Sequence, residues 1–310
     1  VVNINNGEFL VKRFLFLLFV GFIVLASLYG MAVSARGPMP VVVDSLEALN
    51  KAIAEAEPGA KIILKPGVYV FDEYKPALKI KKKNDISISS DGKAYIFHKR
   101  PTENVLYMDR CRNVQIRGIH FGHAPERGGC TGGVALLYQS ENIKLLGGVF
   151  YGSGTVAVEA MDCTTVEVLG CALANCTERA VSAIRTNGFC VHNCLIAEND
   201  NPNSLTQARL LNFEQAANFR LEHNLILRNC LPFRNEDGVP KLTITGNVFA
   251  GNAFPTPPEL LGDGGNREVK IEKTAKLPAL LTNAELWPDD AVKKVAQMLL
   301  RFRNELKKVK

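Results

Sequence analysis

Four lines decide the fold: VEVLGCALANC at 166–176, FCVHNCLIAEN at 189–199, FRLEHNLILRN at 219–229 and LTITGNVFAGN at 242–252. Each has an apolar residue at offsets 0, +2 and +7, and Cys or Asn at +5 and +10. Apolar residues two apart, many of them β-branched or aromatic, make strands and not helices. The lines start at 166, 189, 219 and 242, so the base step is 23 residues, with extra residues inserted in one turn. A fixed period of this size marks a solenoid, and one short set of strands per period marks a parallel β-helix. Worn copies continue upstream: Val114 and Ile116 lead to Ile119 and Phe121, Ile143 and Leu145 to Phe150, and Ile86 and Ile88 open an earlier turn. The expectation is about seven coils.

The +5 column runs Cys171, Cys194, Asn224, Asn247, and the +10 column Cys176, Asn199, Asn229, Asn252. Like side chains stacked at ~4.8 Å hydrogen-bond along the stack, so these columns belong at bends, pointing inward. In this the sequence resembles the right-handed parallel β-helices of the pectate-lyase-like superfamily. The resemblance covers residues 42 to 255 and implies fold more than activity.

The 310 residues carry a net charge of +6, thinly spread. The run Lys79, Lys81, Lys82, Lys83 reads as a solvated face, and nucleic acid is not an expected partner. Lys12 and Arg13 precede an apolar run from Phe14 to Val33, followed by Ser34 and Ala35. That is the order of a secretory signal cleaved after Ala35, or of a retained N-terminal anchor, the run being long enough to span a bilayer. Either way the solenoid is expected outside the cytoplasm of a bacterium: periplasmic, at the cell surface or secreted. Val11 reads as the start position, with residues 1–10 a gene-model extension.

The expected organisation is a signal or anchor at 1–35, an N-terminal cap at 36–74, the β-helix at 75–255 and a C-terminal wrap and helix at 256–310. In the cap, Ser45 is an N-cap, Leu46, Leu49, Ile53 and Ala54 recur at helical spacing, and Glu57-Pro58-Gly59 ends the helix. Strands follow at Lys61–Leu64 and Val68–Phe71. Such a cap closes the open first coil of a solenoid, and the stretch 45–69 resembles the caps of exported β-helix proteins. At the other end Pro288, Asp289 and Asp290 start a helix with an apolar stripe at Val292, Val295, Leu299, Phe302 and Leu306. It covers the last coil, packs along the side, or pairs in a short coiled coil; a monomer is expected.

The eight cysteines all fall between 111 and 230. Cys171 and Cys194, and likewise Cys111 and Cys163 with Ser140 between them, share columns. They read as small buried ladder residues, with disulfides the competing reading. Cys190, His192, Cys194 and His223 alternate in and out along strands, which argues against zinc.

Chemistry in this fold belongs on an outer strand face. The strand before each line offers the outward pairs Tyr107 and Asp109, Leu136 and Tyr138, Glu159 and Met161, Ser182 and Ile184, Asn212 and Glu214, Asn235 and Asp237. Arg179 and Arg209 stack just before this row and Arg185 lies just after it. Glu214 beneath Asp237 suggests a Ca²⁺ site. Glu159, Arg185 and Arg209 are catalytic candidates, and Arg179, Tyr107, Tyr138, Asn212 and Asn235 are substrate-binding ones. The superfamily resemblance implies acidic polysaccharide as partner and lyase- or epimerase-like chemistry, in which a base takes the proton beside a uronate carboxylate. Ser182–Asn187 resembles the base-bearing strand of the lyases that include chondroitinase B and alginate lyases. There the base is Lys; here Arg185 stands in its place, and the Arg-His-Gly segment of that family is absent one coil later. The inserted loop His120-Phe121-Gly122-His123, with Glu126, Arg127 and Cys130–Gly133, is the second candidate, its histidines serving as acid and base. The competing readings are a glycan-binding protein without catalysis, with Tyr107, Tyr138 and Tyr151 as platforms, and a structural or accessory periplasmic protein.

Overall fold

A computed structural model of the chain describes residues 39–125, 131–152, 154–200, 208–232, 242–261, 264–272 and 275–309. It is an all-β parallel solenoid whose strands lie in three rows. The first row holds Leu78–Lys81, Leu106–Asp109, Ala135–Tyr138, Val156–Met161, Arg179–Ile184 and Leu211–Glu214. The second row runs from Lys61–Leu64 through Glu141–Leu146, Thr164–Leu169, Asn187–His192 and Ala217–Glu222 to Thr243–Thr245. The third runs from Gly67–Phe71 through Val149–Tyr151, Ala172–Ala174, Leu195–Ala197 and Leu225–Leu227 to Val248–Ala250 and Arg267–Val269. Two long strands, Asn84–His98 and Arg112–His123, pass through both of these rows. Every pairing is parallel and in the expected register: Val166 sits opposite Ile143 and Phe189, and Phe189 opposite Phe219. These inward columns make the core, where Phe189 stacks on Phe219 at 5.5 Å and Phe121 on Phe150 at 5.6 Å.

The coil count is eight, not seven. Lys61–Leu64 pairs parallel with the second-row strand above it, Ile62 opposite Ile88, and so opens the solenoid itself. Its own lower edge is covered by Val41–Val43.

Corners are left-handed columns. Lys82, Arg110, Gln139, Asp162, Arg185 and Gln215 follow the first row with φ between 46 and 56°. Such φ is costly for a residue with a Cβ. It is held here because the N–H groups from Lys82 to Arg185 in this column bond the next coil, as Arg110 N–H does to Tyr138 O at 3.0 Å and Arg185 N–H to Glu214 O at 2.7 Å. The inward columns beside the second and third rows are the Cys/Asn ladders. Cys171 N–H reaches Cys194 Sγ at 3.3 Å, Cys194 N–H reaches Asn224 Oδ1 at 2.8 Å, and Asn224 N–H reaches Asn247 Oδ1 at 2.9 Å. Asn266 extends the column one further step, accepting from Asn247 N–H at 2.9 Å.

The helix α1 (Leu46–Glu55) buries Leu49 and Ile53 on the open first coil. Ser45 Oγ accepts from Ala48 N–H at 3.1 Å. Asn50 plugs the first-row edge, donating to Ala77 O at 2.9 Å and accepting from Lys79 N–H at 3.3 Å. Lys83, part of the lysine run read as solvated, instead donates to Ala54 O and Ala56 O at the C-terminal end of α1, at 2.7 and 2.9 Å. Replacing Ser45 by Ala is expected to cost about 1 kcal/mol in urea denaturation, the ordinary worth of an N-cap.

The helix α2 (Asp290–Val309) packs along the side of the solenoid, which settles its three expected placements. The outer face of the third row is apolar, with Val149, Ala172, Leu195 and Leu225 in one column and Ala174, Ala197 and Leu227 in the other. Against it α2 buries Val292, Val295, Leu299, Phe302 and Leu306, forming a second core. The stripe is thereby consumed, so it does not serve a coiled coil. Among the described residues no helix is long and apolar enough to cross a membrane.

Candidate functional site

The first-row outer face is built as two columns. Lys79, Tyr107, Leu136, Glu159, Ser182 and Asn212 lie in register, as do Lys81, Asp109, Tyr138, Met161, Ile184 and Glu214. At ~4.8 Å per coil the face is about 24 Å long. Its lower end is basic, with Lys79, Lys81 and Arg110 exposed. Asp109 is buried and grips Arg110 in two bonds of 2.9 Å, with Lys81 Nζ at 3.8 Å. The Arg110 hydrogen bonds hold its carboxyl below the usual range. Lys81 also lies over the Tyr107 ring, 5.6 Å from its centroid. Burial, then the Asp109 charge, pushes the Tyr107 hydroxyl up.

Arg185 sits in the left-handed corner and not on the strand face. It binds Asp162 of the preceding coil through Nε at 2.6 Å and Nη2 at 2.9 Å. Those bonds hold the Asp162 carboxyl below its usual range. The offset of 23 between these two residues made the pair findable in the sequence as an acid directly under a base. Arg179 binds Glu178 at 2.9 Å, and its Nε is buried without an acceptor. Val181 pairs with Leu211, which places Arg209 one coil above Arg179, and Arg209 N–H donates to Glu178 O at 3.0 Å. Asn212 Nδ2 donates to Ser182 Oγ at 3.2 Å, and both are buried.

Glu159 is the exception on this face. It is half-buried between Leu136 and Ser182, and among the described residues nothing pairs with it. Glu214 is exposed at the upper end. Asn235 and Asp237, its expected neighbours, lie outside the described residues, as do Glu126, Arg127 and Cys130. The described carboxylates do not converge on a calcium-sized site: Asp109 and Asp162 are taken by arginines, and Glu159 has no acidic neighbour in the register. Among the described residues no cluster of three metal-ligating side chains forms.

The histidine candidates stand elsewhere than expected. His120 and His123 lie in the strand Arg112–His123, not in a loop, and both are fully buried. His120 stacks against Tyr95 at 4.9 Å beneath Phe302 of α2, and its Nε2 meets Gly92 O at 2.9 Å. The Nε2 of His123 meets Glu103 O at 2.8 Å, and its ring neighbours that of His98 at 6.3 Å. Burial pushes both imidazoles down to about 4. An acid–base pair needs access to substrate; these rings are packing groups, which the Gly-rich sequence around them disguised.

Among the described residues Cys111, Cys163, Cys171, Cys190 and Cys194 are free thiols. Cys111 N–H binds Ser140 Oγ at 3.0 Å, and Cys163 N–H binds Thr186 Oγ1 at 3.3 Å, so this column is a third ladder. Cys194 points into the core while Cys190 and His192 face out, which separates the sequence's zinc candidates; His192 lies 3.5 Å from Glu222.

No family model matches the chain, and no curated protein matches it. Solved structures show a distant likeness. A provisionally assigned glycosyl hydrolase from Parabacteroides merdae ATCC 43184 gives a TM-score of 0.43 at 14% identity, over 68% of this chain and 96% of that one. Pectate lyase Pel9A gives 0.34 at 11% identity, over 77% and 76%. The PL6 family alginate lyase AlyGC gives 0.30 at 14% identity, over 69% of this chain and 38% of that one. Likeness at this level bears on fold alone. The parallel β-helix is established by the chain's own strand pairings.

Proposed function

We propose that this protein holds an acidic polysaccharide along the outer face of its first strand row and acts on it there in a lyase- or epimerase-like way. The observation that carries this reading is the half-buried carboxylate of Glu159, with which nothing among the described residues pairs. It stands midway along a face where Asp109 and Asp162 are already spent on arginines and Glu214 is exposed at the upper end. A carboxylate so placed is positioned to take a proton from a sugar ring. The exposed Lys79 and Lys81 supply attraction for a polyanion, and Tyr107 and Tyr138, on neighbouring coils, supply apolar surface for sugar rings. Export is part of the proposal and rests on Lys12, Arg13 and the run from Phe14 to Val33; amino-terminal sequencing of the protein from its native source tests it, and an uncleaved cytosolic chain overturns it.

A second reading, binding without turnover, is favoured by one observation. Arg110 and Arg185 each give their Nε–Nη2 edge to a carboxylate, which leaves neither of those two-pronged edges open for a developing enolate. The test is absorbance of unsaturated product from alginate, pectate and glycosaminoglycans, with and without Ca²⁺, beside migration in gels cast with each polymer. Product formation reduced about a hundredfold or more in Glu159→Gln is the expected result. Retarded migration without product supports the second reading. Neither effect with any polymer overturns both.

A further inference from the structure

A groove of about 440 Å³ lies on the far side of the molecule, where the last turns of α2 lean on the corner after the third row. Its polar lining is Glu198, Arg228, Lys276, Arg303, Asn304 and Lys307, four cations to one carboxylate. Glu198 and Arg228 occupy the same corner on consecutive coils, with φ of 57 and 51°. Their N–H groups bond up the stack to Leu227 O at 3.0 Å and Ala250 O at 2.9 Å, so both backbones are fixed. From α2, Arg303 donates to Glu198 and lies over the Tyr151 ring, 5.7 Å from its centroid. Arg228 Nη1 stands 3.8 Å from the other oxygen of Glu198, beyond hydrogen-bond reach.

Both arginine side chains are about four-fifths buried, at 19% and 23% exposure. Yet Arg228 Nε and Nη2, and Arg303 Nε, have no acceptor among the described residues. Buried cationic donors are rarely left so. The Nε–Nη2 edge is the one that grips two oxygens at once in the Arg110–Asp109 and Arg185–Asp162 pairs of this same protein. In Arg228 that edge is unclaimed, and one carboxylate among four cations leaves three positive charges uncompensated.

We propose that this groove is an oxyanion site for a tetrahedral sulfate or phosphate group, either the free dianion or an ester. Lys276, Asn304 and Lys307 stand exposed at its mouth and meet the anion first. The Arg228 edge is closed to solvent where it now packs, so a side-chain rotation into the groove completes the two-pronged grip. A surplus of three charges favours a dianion over a single carboxylate, which separates this site from the uronate-binding face proposed for the first row.

The test uses the full chain and two readouts, thermal melting and calorimetric titration, with sodium sulfate and sodium phosphate at constant ionic strength in chloride. The expected result is a saturable rise in melting temperature and a measurable heat of binding. Arg228→Gln and Lys307→Gln should each weaken binding by about tenfold or more, while Arg220→Gln on the second row leaves it unchanged. Lys307 is exposed, so its variant decides the matter if Arg228→Gln does not fold. A sulfated glycan that competes with inorganic sulfate identifies an ester as the source; competition by inorganic ions alone identifies the free anion. A rise that never saturates and is the same in every variant is the general salting effect of these ions, and it overturns the proposal. So does equal binding by both variants.

Discussion

Lowering the pH from 7.5 to 4.5 is expected to remove about 5 kcal/mol of stability, roughly half from each of His120 and His123. Both imidazoles are pushed from the ordinary 6.5 to about 4 by burial. The unfolded chain therefore takes up protons below 6.5 that the folded chain refuses. Their contribution is fully present above 6.5 and is lost as the pH falls toward 4, below which nothing further is lost. His98 is shifted in the same direction by its burial and adds to the fall. Asp109 and Asp162 titrate below the usual carboxylate range, so their share of acid unfolding comes at lower pH than this window. The measurement is urea denaturation at several pH values between 7.5 and 4.5. His120→Phe keeps a ring against Tyr95 and Phe302 while removing one titrating group, and should roughly halve the dependence. A pH dependence unchanged by that substitution would sink the argument.

The same histidines mark where the sequence stopped being legible. Their outward or inward sense depends on the bend at Gly118, whose φ is 67° and whose added Cβ would lie 2.4 Å from Ser90 O. It depends also on Phe302, some 180 residues away in α2, closing over His120. Neither is a local pattern. What was legible is whatever the repeat enforces. The Val166, Phe189 and Phe219 column is in register because a shift of one residue would turn every apolar side chain outward. The first-row columns came out in the expected order for the same reason, since Tyr107, Leu136, Glu159, Ser182 and Asn212 are counted back from those anchors. The eighth coil was read as cap because Lys61–Leu64 precedes any Cys or Asn ladder, and the period has nothing there to hold to. The arginine pairings escaped because a position in a column does not say which neighbour a long side chain chooses: Arg185 turns to Asp162, not to the face.

Asn224→Ala is expected to cost about 4 kcal/mol, and the reason is a count of orphaned groups. Asn224 is fully buried. Its Oδ1 accepts from Cys194 N–H at 2.8 Å, and its Nδ2 donates to Val191 O at 3.0 Å and Asn247 Oδ1 at 2.9 Å. Alanine leaves the Cys194 N–H donor and the Val191 acceptor without these partners in a region closed to water, at roughly 1–3 kcal/mol per group before relaxation, while Asn247 Oδ1 keeps the Asn224 backbone N–H. The column also says what would be tolerated. Two coils below, Cys171 N–H is satisfied by Cys194 Sγ at 3.3 Å, and Cys194 Sγ donates to Val168 O at 3.3 Å. A thiol thus performs both the accepting and the donating role at this bend, only more weakly than an amide. Asn224→Cys should therefore cost less than half of what Asn224→Ala costs, with both compared by urea denaturation at neutral pH under reducing conditions. Equal losses in the two variants would mean that the ladder acts by filling space and not by hydrogen bonding. A smaller loss in the cysteine variant would explain why one column of this solenoid accommodates cysteine in its middle coils and asparagine toward its end.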